Sequence, residues 1–378
     1  MVTYPKEWEN KTFNDFIKIK RGASPRPIER YLTASTNGVN WIKIGDAPRY
    51  GKYIVSTKEK ITPQGAVCSV GVFPGDFILS NSMSFGRPYI LRIDGCIHDG
   101  WLRLYDFQKD ANDEFLYYLL SSSYVQKQYE AFAAGSGVQN LNKEVVKKVS
   151  VFLPPIPEQE EIAKTLSAFD TYIDNLSELI EKKKNIRDGA LVDLISGRTR
   201  LEGFDYEWDN GKIGDILKIL HGKSQRGVES YNGKYPILGT GGVIGKATEY
   251  LCNWECVLIG RKGTIDKPIY MNSPFWTIDT LYYSMPVENQ CVKFQYYLFC
   301  TIPWYDYTES SGRPSLSRKV IENIPIRIPK YEEQQAIASV LTTMDEEIEN
   351  LEAERDKMIQ IREGAMDDLL TGRVRLTV

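Results

Sequence analysis

Residues 149–201, VSVFLPPIPEQEEIAKTLSAFDTYIDNLSELIEKKKNIRDGALVDLISGRTRL, recur as 324–376, IPIRIPKYEEQQAIASVLTTMDEEIENLEAERDKMIQIREGAMDDLLTGRVRL, without a gap. At this offset of 175 there are 21 identities in 53 positions, among them Gln159/Gln334, Asp170/Asp345, Arg187/Arg362, Gly189/Gly364 and Gly197/Gly372. A weaker echo, GSGVQNLNK (135–143) with SSGRPSLSR (310–318), precedes each copy. A second match opens each half: KEWENKTFNDFIKIKRG (6–22) aligns with YEWDNGKIGDILKILHG (206–222), sharing Trp8/Trp208, Asp15/Asp215 and Gly22/Gly222. The stretches between show no similarity. The period is far too long for a solenoid, so the chain reads as one frame used twice around two individual middles.

The long repeat predicts a helix. An extended segment ends in prolines at PPIPEQEEI, and Glu158, Glu160 and Glu161 suit a helix N-terminus. The apolar positions Ile162, Leu166, Phe169, Ile173, Leu176 and Ile180 then follow alternately four and three apart, the spacing of a coiled-coil seam. Ile337, Leu341, Met344, Ile348 and Leu351 keep the same phase, and Gly197 and Gly372 are natural stops. Two seams of equal length in one chain favour pairing with each other, because the partner is tethered. Antiparallel pairing would relate the halves by a pseudo-two-fold axis, with Gly189-Ala190 and Gly364-Ala365 allowing close backbone approach.

Four segments follow: a first globule over 1–148, a long helix within 149–201, a second globule over 202–323 and a second long helix within 324–378. Strand-like runs fill the middles at 40–44, 76–80, 87–93, 255–260, 267–271 and 280–285. One helix is expected in each, at 113–133 and 289–301. The fold class is α+β: two α/β globules joined by two long helices.

Charge becomes informative only when divided. The chain carries −3, but residues 1–148 carry +5, 149–201 −2, 202–323 −1 and 324–378 −5. The acid lies in the repeats, while the bases of the middles fall in glycine-rich loops. The charged N-terminus predicts no signal peptide, and no apolar run approaches the ~18 residues of a membrane span. The six cysteines form no CxxC pair and only His98 and His221 could assist them, so no metal site and reduced, mostly buried thiols in a cytoplasmic protein are expected. The sequence contains no Walker loop and no Asn/Asp-Pro-Pro-aromatic tetrapeptide, and two histidines leave little acid–base machinery. The chain reads as non-catalytic.

Binding is better supported. Loops rich in Arg, Lys, Ser, Asn and glycine occur at matching places in both halves: 19–27, 80–89 and 135–143 in the first, 221–227, 260–267 and 310–319 in the second. Cations neutralise phosphate and reach guanine, Asn and Gln suit adenine, and glycine admits close backbone approach. The candidate DNA-binding residues are Lys20, Arg21, Arg26, Ser82, Arg87, Gln139, Asn140, Asn142 and Lys143, and then Lys223, Arg226, Arg261, Lys262, Lys267, Arg313, Ser315, Ser317 and Arg318.

Trp8 with FNDFIKIKRG, the LPPIPEQEEIA strand-to-helix passage, the LISGRTRL exit and the repetition of the whole together resemble the specificity (S) subunit of type I restriction–modification systems. The second copy departs at Lys330 and Tyr331, where the first has Pro155 and Ile156. The resemblance implies two target recognition domains, each reading half of a bipartite double-stranded DNA sequence. It implies helices that act as ruler and docking surface for two modification (methyltransferase) subunits, which bind S-adenosylmethionine and methylate adenine. Motor-nuclease restriction subunits would join them. This chain itself would bind no cofactor. The alternative from another class is a bivalent protein-binding coiled-coil scaffold.

Overall fold

The computed structural model describes residues 5–48, 51–81, 86–134, 141–308, 312 and 314–376. The chain divides into two compact units, Met1–Leu176 with Glu354–Val378, and Ser177–Ala353. The long helices run over Ile156–Ser196 and Tyr331–Leu369, so each unit contains part of both.

In the first unit, strand Glu9–Thr12 pairs antiparallel with Ser150–Leu153, the strand that leads into the first long helix. Two five-stranded sheets form the middle. One runs in the order Leu32–Thr33, Glu59–Ile61, Val39–Ile42, Gly95–Ile97, Val70–Val72, and the other Lys18–Arg21, Trp101–Tyr105, Phe77–Ser80, Pro88–Leu91, Tyr53–Ile54. The second unit repeats the frame: Asp209–Lys212 pairs antiparallel with Pro325–Ile328. Its middle has a four-stranded sheet ordered Leu217–His221, Leu281–Pro286, Cys256–Gly260, Ile269–Met271, and a three-stranded one ordered Gly242–Ala247, Tyr235–Gly239, Trp276–Thr277.

The packing explains why the units cut across the helices. Ile162 and Leu166 belong to a core with Phe13, Leu116, Tyr118, Met366 and Leu369. Ile337 and Leu341 belong to its counterpart with Ile213, Phe294, Tyr297, Leu191 and Leu194. The first positions of each expected seam are therefore globule core, and Phe169 and Met344 pack on its margin. Leu176 and Ile348 are buried further along; Ile173 and Leu351 are half-buried.

Polar contacts repeat with the same chemistry in each unit. Glu158 is buried, accepting from Trp8 Nε1 (3.2 Å) and Arg375 Nη2 (2.9 Å). Glu333, equally buried, accepts from Trp208 Nε1 (3.0 Å) and Arg200 Nη2 (2.8 Å). Gln159 accepts from Asn112 N and donates to the Asp110 and Pro154 carbonyls; Gln334 accepts from Cys291 N and donates to Pro329 O and Gln290 Oε1. Asp170 takes Tyr118 OH (2.6 Å) and Arg362 Nη1 (2.8 Å), while Asp345 takes Tyr297 OH (2.7 Å) and lies 3.5 Å from Arg187 Nε. Burial, then the neighbouring carboxylate, raises the Tyr118 phenol; burial dominates at Tyr297 as well. Glu158 lies in the first turn of its helix, as expected from the sequence, and is also the centre of a buried polar clasp.

Two expectations are corrected. The helix over 113–133 is two, Asp113–Ser121 and Ser123–Ala134, because Ser122 is extended (ψ 147°) and its hydroxyl takes over the Leu119 carbonyl and the Val125 amide. Gly189 and Gly364 mediate no close approach: a Cβ built on either meets no atom within 4 Å. Gly197 and Gly372 do end their helices, with φ of +70° and +68°.

Candidate nucleic-acid interface

At one edge of each unit the loops between strands converge on a tight turn, and the two turns are built alike. Gly22 N donates to Trp101 O (2.8 Å) and Gly222 N to Leu281 O (3.1 Å). No larger residue fits: a Cβ would come within 2.0 Å of His98 O at Gly22 and 1.9 Å of Ile278 O at Gly222. Trp101 N donates to His98 O, as Leu281 N does to Ile278 O, closing the turns around Asp99 and Asp279. Asn81 N reaches Gly100 O where Arg261 N reaches Thr280 O. Leu141 N then reaches Asn81 O where Leu316 N reaches Arg261 O. The Asn81 and Arg261 side chains both donate to the carbonyl of the turn aspartate, at 2.9 and 3.3 Å. The next residues, Asn142 and Ser317, cap the short helices Lys143–Lys147 and Arg318–Glu322. Middles without detectable sequence similarity therefore share a scaffold of main-chain bonds, which leaves its side chains free to differ.

The first cluster contains Arg21, whose Nε donates to Asp99 O (3.2 Å), Arg26, paired with Asp99 Oδ2 (3.3 Å), and Arg87, stacked 5.1 Å from the Tyr89 ring centroid. Lys20 is exposed on the same strand as Arg21, and Lys143 lies 3.8 Å from Glu144. A cleft of about 330 Å³ opens among Arg21, Asn81, His98, Asp99, Leu141 and Asn142. Burial lowers the His98 pKa, which favours neutral imidazole. At Asp99 burial acts upward, but bonds from Ser24, its own backbone and His98 prevail and hold the carboxyl below its ordinary range.

In the second cluster Lys223, Arg226 and Lys262 are exposed, with no ion pair among the described residues. Lys262 bridges Ser315 through the backbone, and Arg318 is paired with Glu322 (2.9 Å). Lys267 is exposed on the way to strand Ile269–Met271. Ser82, Gln139, Asn140 and Arg313 lie outside the described residues. Asn142 and Ser317 already serve as helix caps. Sequence reading passed over Asn81, Asp99 and Asp279; Asn81 lies in the loop 80–89 already noted as basic, and no loop noted there contains Asp99 or Asp279.

Among the described residues no three His, Cys, Asp or Glu side chains are placed to hold a metal, and no helix is long and apolar enough to cross a membrane. Cys68 and Cys300 are exposed, and Cys252 and Cys256 are buried with their sulfurs 3.8 Å apart.

Two globules share a main-chain scaffold but differ in its side chains, each set on a copied helical frame. Residues 5–185 and again 206–359 match the profile of the family described as the type I restriction modification DNA specificity domain, and the chain belongs to that family. Its place there is that of the specificity subunit, the non-catalytic, DNA-binding component. The type I restriction enzyme MjaVIII specificity subunit of Methanocaldococcus jannaschii is 23% identical over 98% of this chain and 94% of its own length. Among solved structures, the type I restriction–modification S subunit from M. genitalium superposes with a TM-score of 0.61 at 20% identity, over 98% of this chain and 97% of that one. A chain from a study of complex assembly and conformational transition in the type I system gives 0.63 at 16% identity, over 98% and 100%. These likenesses establish the shared fold.

Proposed function

We propose that this chain reads a bipartite DNA target, with one half-site for each turn cluster, and docks two modification subunits that carry S-adenosylmethionine and methylate adenine in the cytoplasm. Restriction subunits would join the same complex, and the chain would bind no cofactor. The observation that carries this reading is the duplicated turn: one main-chain scaffold presenting Asn81, Arg26 and His98 in the first unit and Arg261, Arg226 and Ile278 in the second. Phosphate contacts fix register and base contacts supply sequence. A scaffold that holds its main chain while exchanging side chains is suited to reading two different half-sites.

The long helices would pair antiparallel as a coiled coil about a pseudo-two-fold axis and set the distance between half-sites. The Asp170–Arg362 pair of one unit and the Asp345–Arg187 pair of the other support this, since each is the other with the helices exchanged. Two experiments test the proposal in the assembled complex. Replacing Arg261 and Lys262 by Ala should weaken duplex binding and shallow its salt dependence by about one unit of slope for each phosphate no longer neutralised. A heptad inserted after Leu176 with another after Leu351 keeps the seam phase and adds ~10 Å. The preferred spacer should then lengthen by up to about three base pairs. Unchanged salt slope in the first, or unchanged spacing in a stable variant of the second, rejects the corresponding part.

A further inference from the structure

The two turns carry the same residue set in two states. Each cluster has the pattern Gly-x-Ser-x-Arg (22–26 and 222–226) facing a turn aspartate. In the first unit the set is closed. Asp99 accepts from Ser24 Oγ (2.9 Å) and Arg26 Nη2 (3.3 Å), and its carboxylate also lies 3.6 Å from His98 Nδ1. In the second it is open. Ser224 Oγ instead accepts from Arg226 N (3.3 Å), and Ile278 replaces the histidine. No described residue makes a hydrogen bond or ion pair with the Asp279 carboxylate; only its main-chain oxygen is used, by Arg261. Asp279 is exposed.

An unpaired carboxylate on a surface that meets DNA needs an explanation, because it repels phosphate. A carboxylate only accepts hydrogen bonds. The donors that base edges offer in the grooves are exocyclic amino groups: cytosine N4 and adenine N6 in the major groove, guanine N2 in the minor. Arg261, fixed to the same turn, supplies an adjacent donor. Together they present an acceptor and a donor held by one carbonyl.

We infer that Asp279 is a specificity-determining residue that accepts a hydrogen bond from one exocyclic amino group of the half-site read by the second unit, and that Asp99 is a positioning residue that orients Arg26. The inference rests on the DNA-reading function proposed for the two turn clusters.

The test uses the complete chain with its modification subunits. Sequencing of the sites methylated by the wild-type complex first gives the two half-sites. Asp279→Ala should make one base pair of one half-site degenerate and leave the other half-site intact. At that pair, duplexes in which cytosine is replaced by 2-pyrimidinone, adenine by purine or guanine by inosine identify the amino group. Its removal should weaken wild-type binding about tenfold and leave Asp279→Ala binding unchanged. Asp99→Ala should weaken binding across all sequences without loosening either motif. Absence of sequence-specific methylation by the wild-type complex would overturn both this inference and the proposed function. Ordered methylation that Asp279→Ala leaves unchanged, or an amino-group deletion that weakens wild type and variant alike, overturns this inference alone. Asp279→Leu, close in shape but unable to accept a hydrogen bond and folded by circular dichroism, guards against misfolding as the cause and should show the same degeneracy.

Discussion

Asp170 and Asp345 sit at matching places in the frame and do matching work: each takes a tyrosine hydroxyl and each faces an arginine from the other long helix. Asp99 and Asp279 also sit at matching places, in turns with matching main-chain bonds, but their carboxylates are met differently. One carboxylate is bonded by serine and arginine beside a histidine, and the other has no partner among the described residues. The difference shows what duplication has to preserve in each region. In the frame, side chains hold the two long helices to a globule, so a changed partner leaves a buried polar group unsatisfied at a cost of about 1–3 kcal/mol. In the turns, main-chain bonds supply the rigidity, so side chains can change without loss of structure.

If the frames are energetically equal, core truncations should cost the same in both. Leu166→Ala and Leu341→Ala remove fully buried side chains and should each destabilise the chain by about 3 kcal/mol in urea unfolding. A large disparity would break the equivalence. The clasps sharpen it further. Glu333→Gln leaves Arg200 and Trp208 around a neutral amide and should cost about 2 kcal/mol. Glu158→Gln should cost less, because Arg375 also reaches Glu7 (3.3 Å). Equal losses would show that this second carboxylate contributes nothing. Tyr118→Phe and Tyr297→Phe each remove a hydrogen bond to a carboxylate and should cost about 1.5 kcal/mol, measured by the same unfolding midpoints. The smallest effect has the opposite sign. Gly189→Ala and Gly364→Ala meet open space on helices and should each stabilise by about 0.5–1 kcal/mol. Destabilisation by either would show that the glycine is needed for contact with something outside this chain.

The frame was legible because it is periodic and repeated: the long helices and their glycine stops were readable from spacing, while Ile162, Leu166, Ile337 and Leu341, read as seam, serve the globule cores. The role of Glu158 and Gln159 was not, since a Glu-Gln pair at a helix start satisfies a local rule and nothing local reveals Trp8 or Arg375 more than a hundred residues away. The Ser122 break was hidden for a similar reason: three consecutive serines neither forbid a helix nor demand its end. The kinship of the reading turns was invisible because it is written in main-chain bonds, for which many side chains qualify. The trace it left is short: Gly22 and Gly222, pressed against carbonyl oxygens, open the shared Gly-x-Ser-x-Arg pattern at 22–26 and 222–226. Asn142 and Ser317, candidate base readers by type, also cap helices, which draws on the same side-chain chemistry.

The two clasps differ in one respect that has nothing to do with their atoms. Arg200 and Trp208 are joined by a short continuous stretch of backbone, so when the second clasp opens its parts stay close and re-form quickly. Arg375 and Trp8 have no such tether; only the folded first unit brings them together. Opening there releases two separate strands of chain, and the entropy gained favours the open form. Amide protons around Trp8 and Gly372 should therefore exchange with solvent faster than those around Trp208 and Gly197, and a protease should nick the first clasp before the second. Clasps of matching chemistry would then have unequal lifetimes, with covalent connection as one cause.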